Sequence, residues 1–182
     1  MTKDFTPALQ FQLGDQWEGY LHSADAVGIR ERSSGRVLTE IMVAKLQAVF
    51  DPICINEETI SHTGLLGTEP ADVIRWVQAQ TILETSDVSA VNYAGRSGLQ
   101  IEASIKGPFE VACPGGIGNR VHLFSVGEDS VWIRNGQRVQ ITALDVDGST
   151  VTIVAGAPAN AFRRVLADDL DPVVRSITFG TD

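Results

Sequence analysis

Two cysteines, Cys54 and Cys113, are the residues with the most distinctive chemistry. Both lie in predicted loops, Cys54 two residues after Pro52 and Cys113 directly before Pro114. A disulfide between them would close a loop of about 60 residues. A zinc site would instead combine them with His62 and His122, but seven and eight residues separate each cysteine from its histidine, longer than the usual zinc-ligand spacing. Two buried free thiols are the third interpretation. Spacing alone leaves all three open.

Nucleophilic catalysis by a cysteine requires a nearby histidine and an orienting acid, and the three histidines (His22, His62 and His122) are scattered along the chain. The sequence has no G-x-S-x-G, H-E-x-x-H or Walker A motif. The glycine-rich PGGIGN at 114–119 follows no strand-to-helix junction and is interpreted as a loop. The acidic ADDLD at 167–171 is typical of a solvated helix end rather than a cation site. We therefore predict no catalytic residue, no metal site and no cofactor.

The run LDVDGSTVTIVAG resembles the start of a calcium loop. Such a loop has glycine at its sixth position and glutamate at its twelfth. Counted from Asp145, Gly148 is fourth and no glutamate follows. Asp147-Gly148 between two β-branched runs instead predicts a tight hairpin turn. Asn135-Gly136 predicts another, and together the two turns predict a three-stranded meander over 130–155.

Composition excludes several classes of function. The chain has 182 residues with a formal net charge of −9, which disfavours nucleic acid and anionic lipid as partners. No apolar run is long enough for a transmembrane helix. The N-terminus lacks a signal peptide, so the protein is either cytoplasmic or exported with its export segment absent from this chain. The partner is expected to be an unknown protein or small molecule, and the oligomeric state is open.

Alternation of apolar and polar residues predicts a mostly β protein. Length predicts one domain over 1–182, with residues 1–4 and 180–182 disordered. The predicted strands are 8–13, 26–31, 36–50, 97–105, 120–126, 129–134, 138–146 and 149–156, and an irregular connection is predicted over 51–67.

Two helices are predicted. The first, within GTEPADVIRWVQAQ, begins after Thr68 as N-cap and buries Val73, Ile74 and Val77. The second, within PANAFRRVLADDLDPVVRS, places Phe162, Val165 and Leu166 on the sheet, with Arg163, Arg164, Asp168 and Asp169 in water. Pro172 is expected to break or kink that helix, which gives a helix to about 169, a fresh turn at 171–175 and then a short strand, SITF.

Large aromatic and acidic side chains complete the set of candidates. Trp76 is expected in the core, and core or partial burial is preferred over a binding face for Trp17 and Trp132. In GLQIEASI, alternation places Leu99 and its apolar neighbours on one face and Glu102 on a polar, wet face.

Four stretches carry a resemblance to a known group of proteins. The segment RVQITALDVDGSTVTIVAGAPANAFRRVLADDLDPVVRSITFG resembles the C-terminal part of small predicted exported proteins and lipoproteins of actinobacteria and their relatives. FTPALQFQLGDQW, EPADVIRWVQA and YAGRSGLQIEASI are similar to earlier elements of the same group. Two positions depart from its pattern. Gly14-Asp15-Gln16-Trp17 stands in place of Pro-x-Gly-Trp, and Glu102 stands where aspartate is usual.

The resemblance covers most of residues 5–179 and implies an extracytoplasmic protein with no assigned activity. It also implies an α+β, PsbP-like fold, a twisted antiparallel β-sheet flanked by helices; a small curved-sheet or barrel-like fold with two helices is the alternative. Export favours the Cys54–Cys113 disulfide.

The leading functional hypothesis is a non-catalytic binding or accessory domain for an unassigned ligand. The alternative is a small enzyme of the cyclase or isomerase type, with an apolar pocket enclosed by the sheet and Glu102 as candidate base. A large cavity holding a carboxyl of raised pKa favours the enzyme, and a packed core with an exposed apolar patch favours the binder.

Overall fold

The computed structural model describes residues 5, 8–32, 39–50, 62–107, 120–127 and 129–180, with backbone alone for 62–65. Both predicted disulfide partners, Cys54 and Cys113, lie outside these residues. The strands are β1 Leu9–Gln10, β2 Trp17–His22, β3 Ala26–Glu31, β4 Glu40–Ala44, β5 Ala48–Phe50, β6 His62–Leu65, β7 Leu83–Thr85, β8 Ser89–Tyr93, β9 Arg96–Ile105, β10 Arg120–Val126, β11 Asp129–Arg134, β12 Gln137–Val146, β13 Ser149–Pro158 and β14 Thr178–Phe179.

These strands form antiparallel sheets, as predicted. The large sheet has the order β2-β3-β4-β13-β12-β9-β7, with β8 also paired to β9. A smaller sheet has the order β11-β10-β5-β6, and β1 pairs with β14. Within the described ranges the end strands β2 and β7 do not pair with each other, so the α+β sheet prediction is confirmed and the barrel-like alternative is wrong.

Both faces of the large sheet are covered, which explains why its central strands are almost continuously apolar. On β13, Val154 belongs to the core shared with the small sheet and helix α1 (Pro70–Ala79), whereas Ile153 and Ala155 belong to the core beneath the C-terminal helix. Side chains alternate across a strand. One strand therefore serves two cores.

The predicted strand 36–50 is wrong in its length, because the chain changes sheets within it. β4 ends at Ala44 in the large sheet, and β5 begins at Ala48 in the small one. Between them, the Lys45 N–H donates to the Asp25 carbonyl and the Gln47 N–H to the Ser125 carbonyl. Alternation continues through such a crossing, so the sequence pattern does not reveal the change of partner.

The predicted meander over 130–155 is half right. β12 and β13 pair along their whole length across Asp147-Gly148, where φ is 55° and 79°, as this type of hairpin turn requires. At Asn135-Gly136, however, only the glycine has positive φ, and β11 and β12 belong to different sheets. This second turn is a crossing between sheets.

Several strands were not predicted from the sequence patterns. β2, β7 and β8 were not predicted, and β6 lies within the connection expected to be irregular. The predicted strand 8–13 is reduced to β1. These strands are short, or they lie at a sheet edge with little apolar alternation, so they carry a weak periodic signal.

Helix α1 confirms the predicted buried residues Val73, Ile74 and Val77. Its N-cap is Glu69 rather than Thr68, and Asp72 accepts a hydrogen bond from the Glu69 N–H at 3.3 Å. Trp76 is half-buried against Phe124, with the ring centroids 5.0 Å apart.

The C-terminal helix does not break where the proline predicted. An α-helical turn, α2 (Phe162–Val165), continues as a π-helical segment (Leu166–Leu170) and then as α3 (Asp171–Arg175). Pro172 has no N–H, and its ring crowds the carbonyl one turn earlier. A π-helical turn placed before Pro172 accommodates both effects without ending the helix. The predicted buried face is confirmed for Phe162 and Val165.

Replacing Gly148 by valine is expected to lower the free energy of unfolding by about 2 kcal/mol, because a β-branched residue resists positive φ. No atom lies within 4 Å of a Cβ built at this position, so the cost is conformational. Ser149→Val, at a strand position, serves as the control. Denaturant midpoints decide the matter, and equal midpoints would contradict the hairpin assignment.

Candidate functional site

A cavity of about 310 Å³ lies between the large sheet and the β10–β11 hairpin. Its lining includes apolar side chains from β2, β4, β12 and β13, together with polar groups that converge on the same space. The lining residues are Tyr20, Leu21, Glu40, Met42, Arg120, His122, Asp129, Ser130, Val131, Trp132, Val139, Val154 and Gly156. An apolar cavity with a few convergent polar groups is the usual form of a small-molecule site.

The carboxyl group of Glu40 is the central polar feature of this cavity. Its Oε1 accepts a hydrogen bond from Gln137 Nε2 at 3.1 Å, and its Oε2 lies 3.4 Å from the Tyr20 hydroxyl. Burial raises the pKa of Glu40, and this effect outweighs the opposing influence of Gln137, Arg134, Tyr20 and Arg30. Burial, followed by the proximity of Glu40, raises the pKa of the Tyr20 hydroxyl.

A glycine makes room for Gln137. Gly156 faces Glu40 across the β13–β4 pair and Val139 across the β12–β13 pair. A Cβ at Gly156 would lie 2.7 Å from Gln137 Nε2, so the amide reaches Glu40 because that side chain is missing. The Arg134 N–H donates to Gln137 Oε1 at 3.1 Å, which leaves Nε2 as the donor toward the carboxyl.

A second glycine and a β-bulge determine where the Tyr20 side chain lies. The β2–β3 register shifts between Gly19 and Leu21, and such a bulge re-aims the side chain of the extra residue. A Cβ at Gly28 would lie 2.6 Å from Tyr20 Cζ, so the phenol ring lies over this glycine. Glycines inside strands often mark places where another group approaches the backbone closely. Here Gly28 and Gly156 leave room for Tyr20 and Gln137, the two side chains that contact the Glu40 carboxyl.

The hairpin side of the cavity combines His122, Ser130 and Trp132. His122 Nδ1 lies 2.9 Å from Ser130 Oγ, and the imidazole meets the Trp132 ring edge-on at 5.5 Å. The Arg120 guanidinium lies over Trp132 at 4.1 Å. Burial, then the charge of Arg120, lowers the pKa of His122 to about 4, so the imidazole is neutral at pH 7.

His122 should make the protein sensitive to acid. Its pKa is about 4 in the folded chain against 6.5 as the reference, so between these values the unfolded chain binds a proton that the folded chain does not. Stability through His122 is therefore present above pH 6.5 and is lost as the pH falls toward 4. Glu40, with its raised pKa, acts in the opposite direction, because its contribution is lost as the pH rises above 4.5.

Thermal midpoints between pH 4.5 and 7 should therefore fall less on acidification in His122→Asn than in the wild type. The exposed Ser149, which lies outside the cavity, provides a control as Ser149→Val, which should keep the wild-type pH dependence. Parallel curves for the wild type and His122→Asn would show that His122 is not held neutral by burial.

The predicted candidates are distributed unevenly around this site. Trp132 and His122 line the cavity, whereas Trp17, predicted for the core, is 3% exposed in the core beneath the C-terminal helix. Sequence analysis did not single out Tyr20, Glu40 or Arg120. Glu40 lay inside the predicted strand 36–50, and glycines at 28 and 156 within strand patterns were the only available signal.

Glu102 is not part of the cavity, and its predicted wet environment is wrong. The residue is 8% exposed. Its Oε1 accepts a hydrogen bond from Arg163 Nη1 at 2.6 Å, and Arg138 Nη1 lies 3.7 Å from Oε2. The second face of the large sheet is covered, so alternation placed Glu102 opposite the first core but not in water.

The described residues contain no cluster of three His, Cys, Asp or Glu side chains arranged to hold a metal ion. In this same part of the chain, no helix is long and apolar enough to cross a membrane. Asp145 accepts a hydrogen bond from the Gly148 N–H at 2.9 Å, and Asp147 pairs with Arg96. Both carboxylates of the former calcium-loop candidate therefore stabilise the turn and its surroundings.

Fold and site together define an α+β protein with a cavity between two antiparallel sheets. No protein-family model matches the sequence, and no curated protein matches it. Among solved structures, the chain is similar to cyanobacterial PsbP (CyanoP) from Synechocystis sp. PCC 6803, with 13% identity and a TM-score of 0.46 over 99% of this chain and 89% of that one.

It is also similar to LpqN, involved in cell envelope biogenesis of Mycobacterium tuberculosis. Here the identity is 15% and the TM-score 0.49, over 95% of this chain and 83% of that one. Likeness at this level carries no inference about ligand or activity, so any functional conclusion depends on the cavity.

Proposed function

We propose that this protein is a non-catalytic, extracytoplasmic binding domain that takes a small molecule into the cavity between its sheets. The observation that carries the proposal is the convergence of Tyr20, Glu40, His122 and Trp132 on one apolar space of about 310 Å³. That volume lies at the lower end of the range for ligand pockets, about 300–1,000 Å³. Among the described residues, the exposed large hydrophobic side chains are Leu13, Tyr20 and Val88, and Tyr20 also borders this cavity.

A thermal-shift screen of fractionated cell-envelope extract tests this function, because a ligand that binds only the native state raises its melting temperature. Val154 borders the cavity while being 6% exposed, so Val154→Trp should narrow the site. Val88→Trp adds the same ring at an exposed position outside the lining.

The expected result is a fraction that stabilises the wild type and Val88→Trp but not Val154→Trp. Stabilisation of all three variants would place the ligand elsewhere. No stabilising fraction at all would contradict the proposed function.

A proton-transfer enzyme is the second candidate, because a cavity that holds a carboxyl of raised pKa is the feature expected of the enzyme alternative, with Glu40 in the place predicted for Glu102. Glu40 would then take the proton, and the Tyr20 hydroxyl lies beside it. Mass spectrometry of the bound molecule before and after incubation separates the candidates. A binder returns it unchanged, whereas an enzyme converts it and Glu40→Gln stops the conversion.

Extracytoplasmic placement predicts that Cys54 and Cys113 are joined in protein made under oxidising conditions, since structural disulfides persist in such compartments. Intact mass after thiol alkylation, with and without reductant, measures the bond. The expected result is that alkylation occurs only after reduction. Two alkylated thiols in protein never exposed to reductant would remove the bond, and protection lost on adding a chelator would indicate a metal site instead.

A further inference from the structure

No described cation forms an ion pair with the Glu40 carboxyl, although Arg134 and Arg30 are near enough to lower its pKa. Its hydrogen-bond partners there, Gln137 and Tyr20, are both neutral. Arg30 pairs instead with Glu18 at 2.9 Å, and Arg134 lies 5.3 Å from the centre of the Trp132 ring. A buried carboxylate without an opposite charge is costly unless a partner is supplied.

The described residues that line the cavity carry more negative than positive charge. Asp129 adds a second carboxylate to the lining, and Arg120 lies over the Trp132 ring. His122 is neutral at pH 7, because its pKa is lowered to about 4. Among the described lining residues, the charged side chains are thus two carboxylates, Glu40 and Asp129, and one arginine, Arg120.

The remaining lining of the cavity is suited to the apolar part of a ligand. Leu21, Met42, Val139 and Val154 form apolar surface near Glu40, and Trp132 lies on the hairpin side. On the large sheet, Met42 pairs with Val154 and Glu40 with Gly156, so the apolar surface continues directly to the carboxyl. A molecule that fits this wall has an apolar portion with a polar group at one end.

We propose that the cavity binds a small organic cation, an apolar body whose protonated amine pairs with the Glu40 carboxylate. This inference rests on the proposed function and names its ligand class. The ammonium group supplies a counter-charge that no described side chain places against Glu40, and Tyr20 and Gln137 hold the carboxyl toward it. Gly28 and Gly156 contribute indirectly to ligand binding, because the space that they leave admits the Tyr20 and Gln137 side chains.

Three probes with the same aromatic body and different charge test the inference at pH 7: phenethylamine, 2-phenylethanol and 3-phenylpropanoate. Calorimetric titration of the wild-type protein should give an affinity for phenethylamine at least roughly tenfold higher than for 2-phenylethanol, as expected for a hydrogen bond to a charged group. The anion should bind weakest. This comparison needs no variant and is independent of folding effects.

Glu40→Gln then tests the assigned residue. The variant should bind phenethylamine and 2-phenylethanol equally, while Glu84→Gln, at an exposed position outside the lining, should keep the wild-type preference. Equal binding of all probes by the wild type, or preference for the anion, would overturn the cation assignment while leaving a ligand cavity in place. Absence of binding by every probe would overturn the assignment too, and the extract screen would then decide whether the cavity binds anything.

Discussion

Phe162→Ala should lower the free energy of unfolding by about 4 kcal/mol. Phe162 is 1% exposed and belongs to the core between the large sheet and the C-terminal helix. Truncation removes the buried ring and leaves a cavity in a packed interior. It should also loosen the short helical turn α2, whose other buried residue is Val165. Urea denaturation measures the loss.

Arg164→Ala is the matched control, because Arg164 lies on the exposed side of the same turn. Its effect should stay within about 0.5 kcal/mol. Arg163 is a poorer control, since its guanidinium contacts the buried Glu102 carboxyl. Similar losses for Phe162→Ala and Arg164→Ala would mean that the helix packs through a different face.

Gly98→Ala is expected to cost about 3 kcal/mol through overpacking. A Cβ at Gly98 would lie 2.1 Å from the backbone oxygen of Ala143 and 2.8 Å from Leu144 Cδ2. Gly98 pairs with both Leu144 and Val91, so β9 must move away from a neighbouring strand to admit even one methyl group. The backbone oxygen of Ala143 cannot avoid this clash by a rotamer change, as a flexible side chain could.

Gly19→Ala provides the comparison, since no atom lies within 4 Å of a Cβ there and the position is a strand without positive φ. It should be neutral or slightly stabilising, because alanine restricts the unfolded chain. Thermal and denaturant midpoints of the two variants measure the difference. Equal stability would mean that β9 and β12 are less closely packed than their register indicates.

Local patterns predicted those elements whose structure depends on neighbouring residues. The Asp147-Gly148 turn, the buried stripe Val73, Ile74 and Val77, and the packing face of Phe162 follow from backbone preference and helical period. The break expected at Pro172 does not occur, because a π-helical segment before the proline keeps the helix continuous. The chain has more than one way to accommodate a missing N–H, and packing selects among them.

The candidate site depends on contacts between residues far apart in sequence. Glu40 is 97 residues from Gln137 and 20 from Tyr20, and alternation shows only that Glu40 lies in a strand. Likewise, Glu102 alternates as a solvent-facing residue would, yet it is covered and paired with arginines. Period-two patterns show which side chains share a face but not what lies against that face.

By itself, the sequence determined that this is an acidic, mostly β protein with an Asp-Gly hairpin and two amphipathic helical regions, because these follow from composition and short-range periodicity. Tertiary structure decided that the chain changes sheets after Ala44, that Asn135-Gly136 crosses between sheets, and that Gly28 and Gly156 leave space around Glu40. The physical reason is that strand pairing and burial are set by distant partners, whose identity no local pattern records.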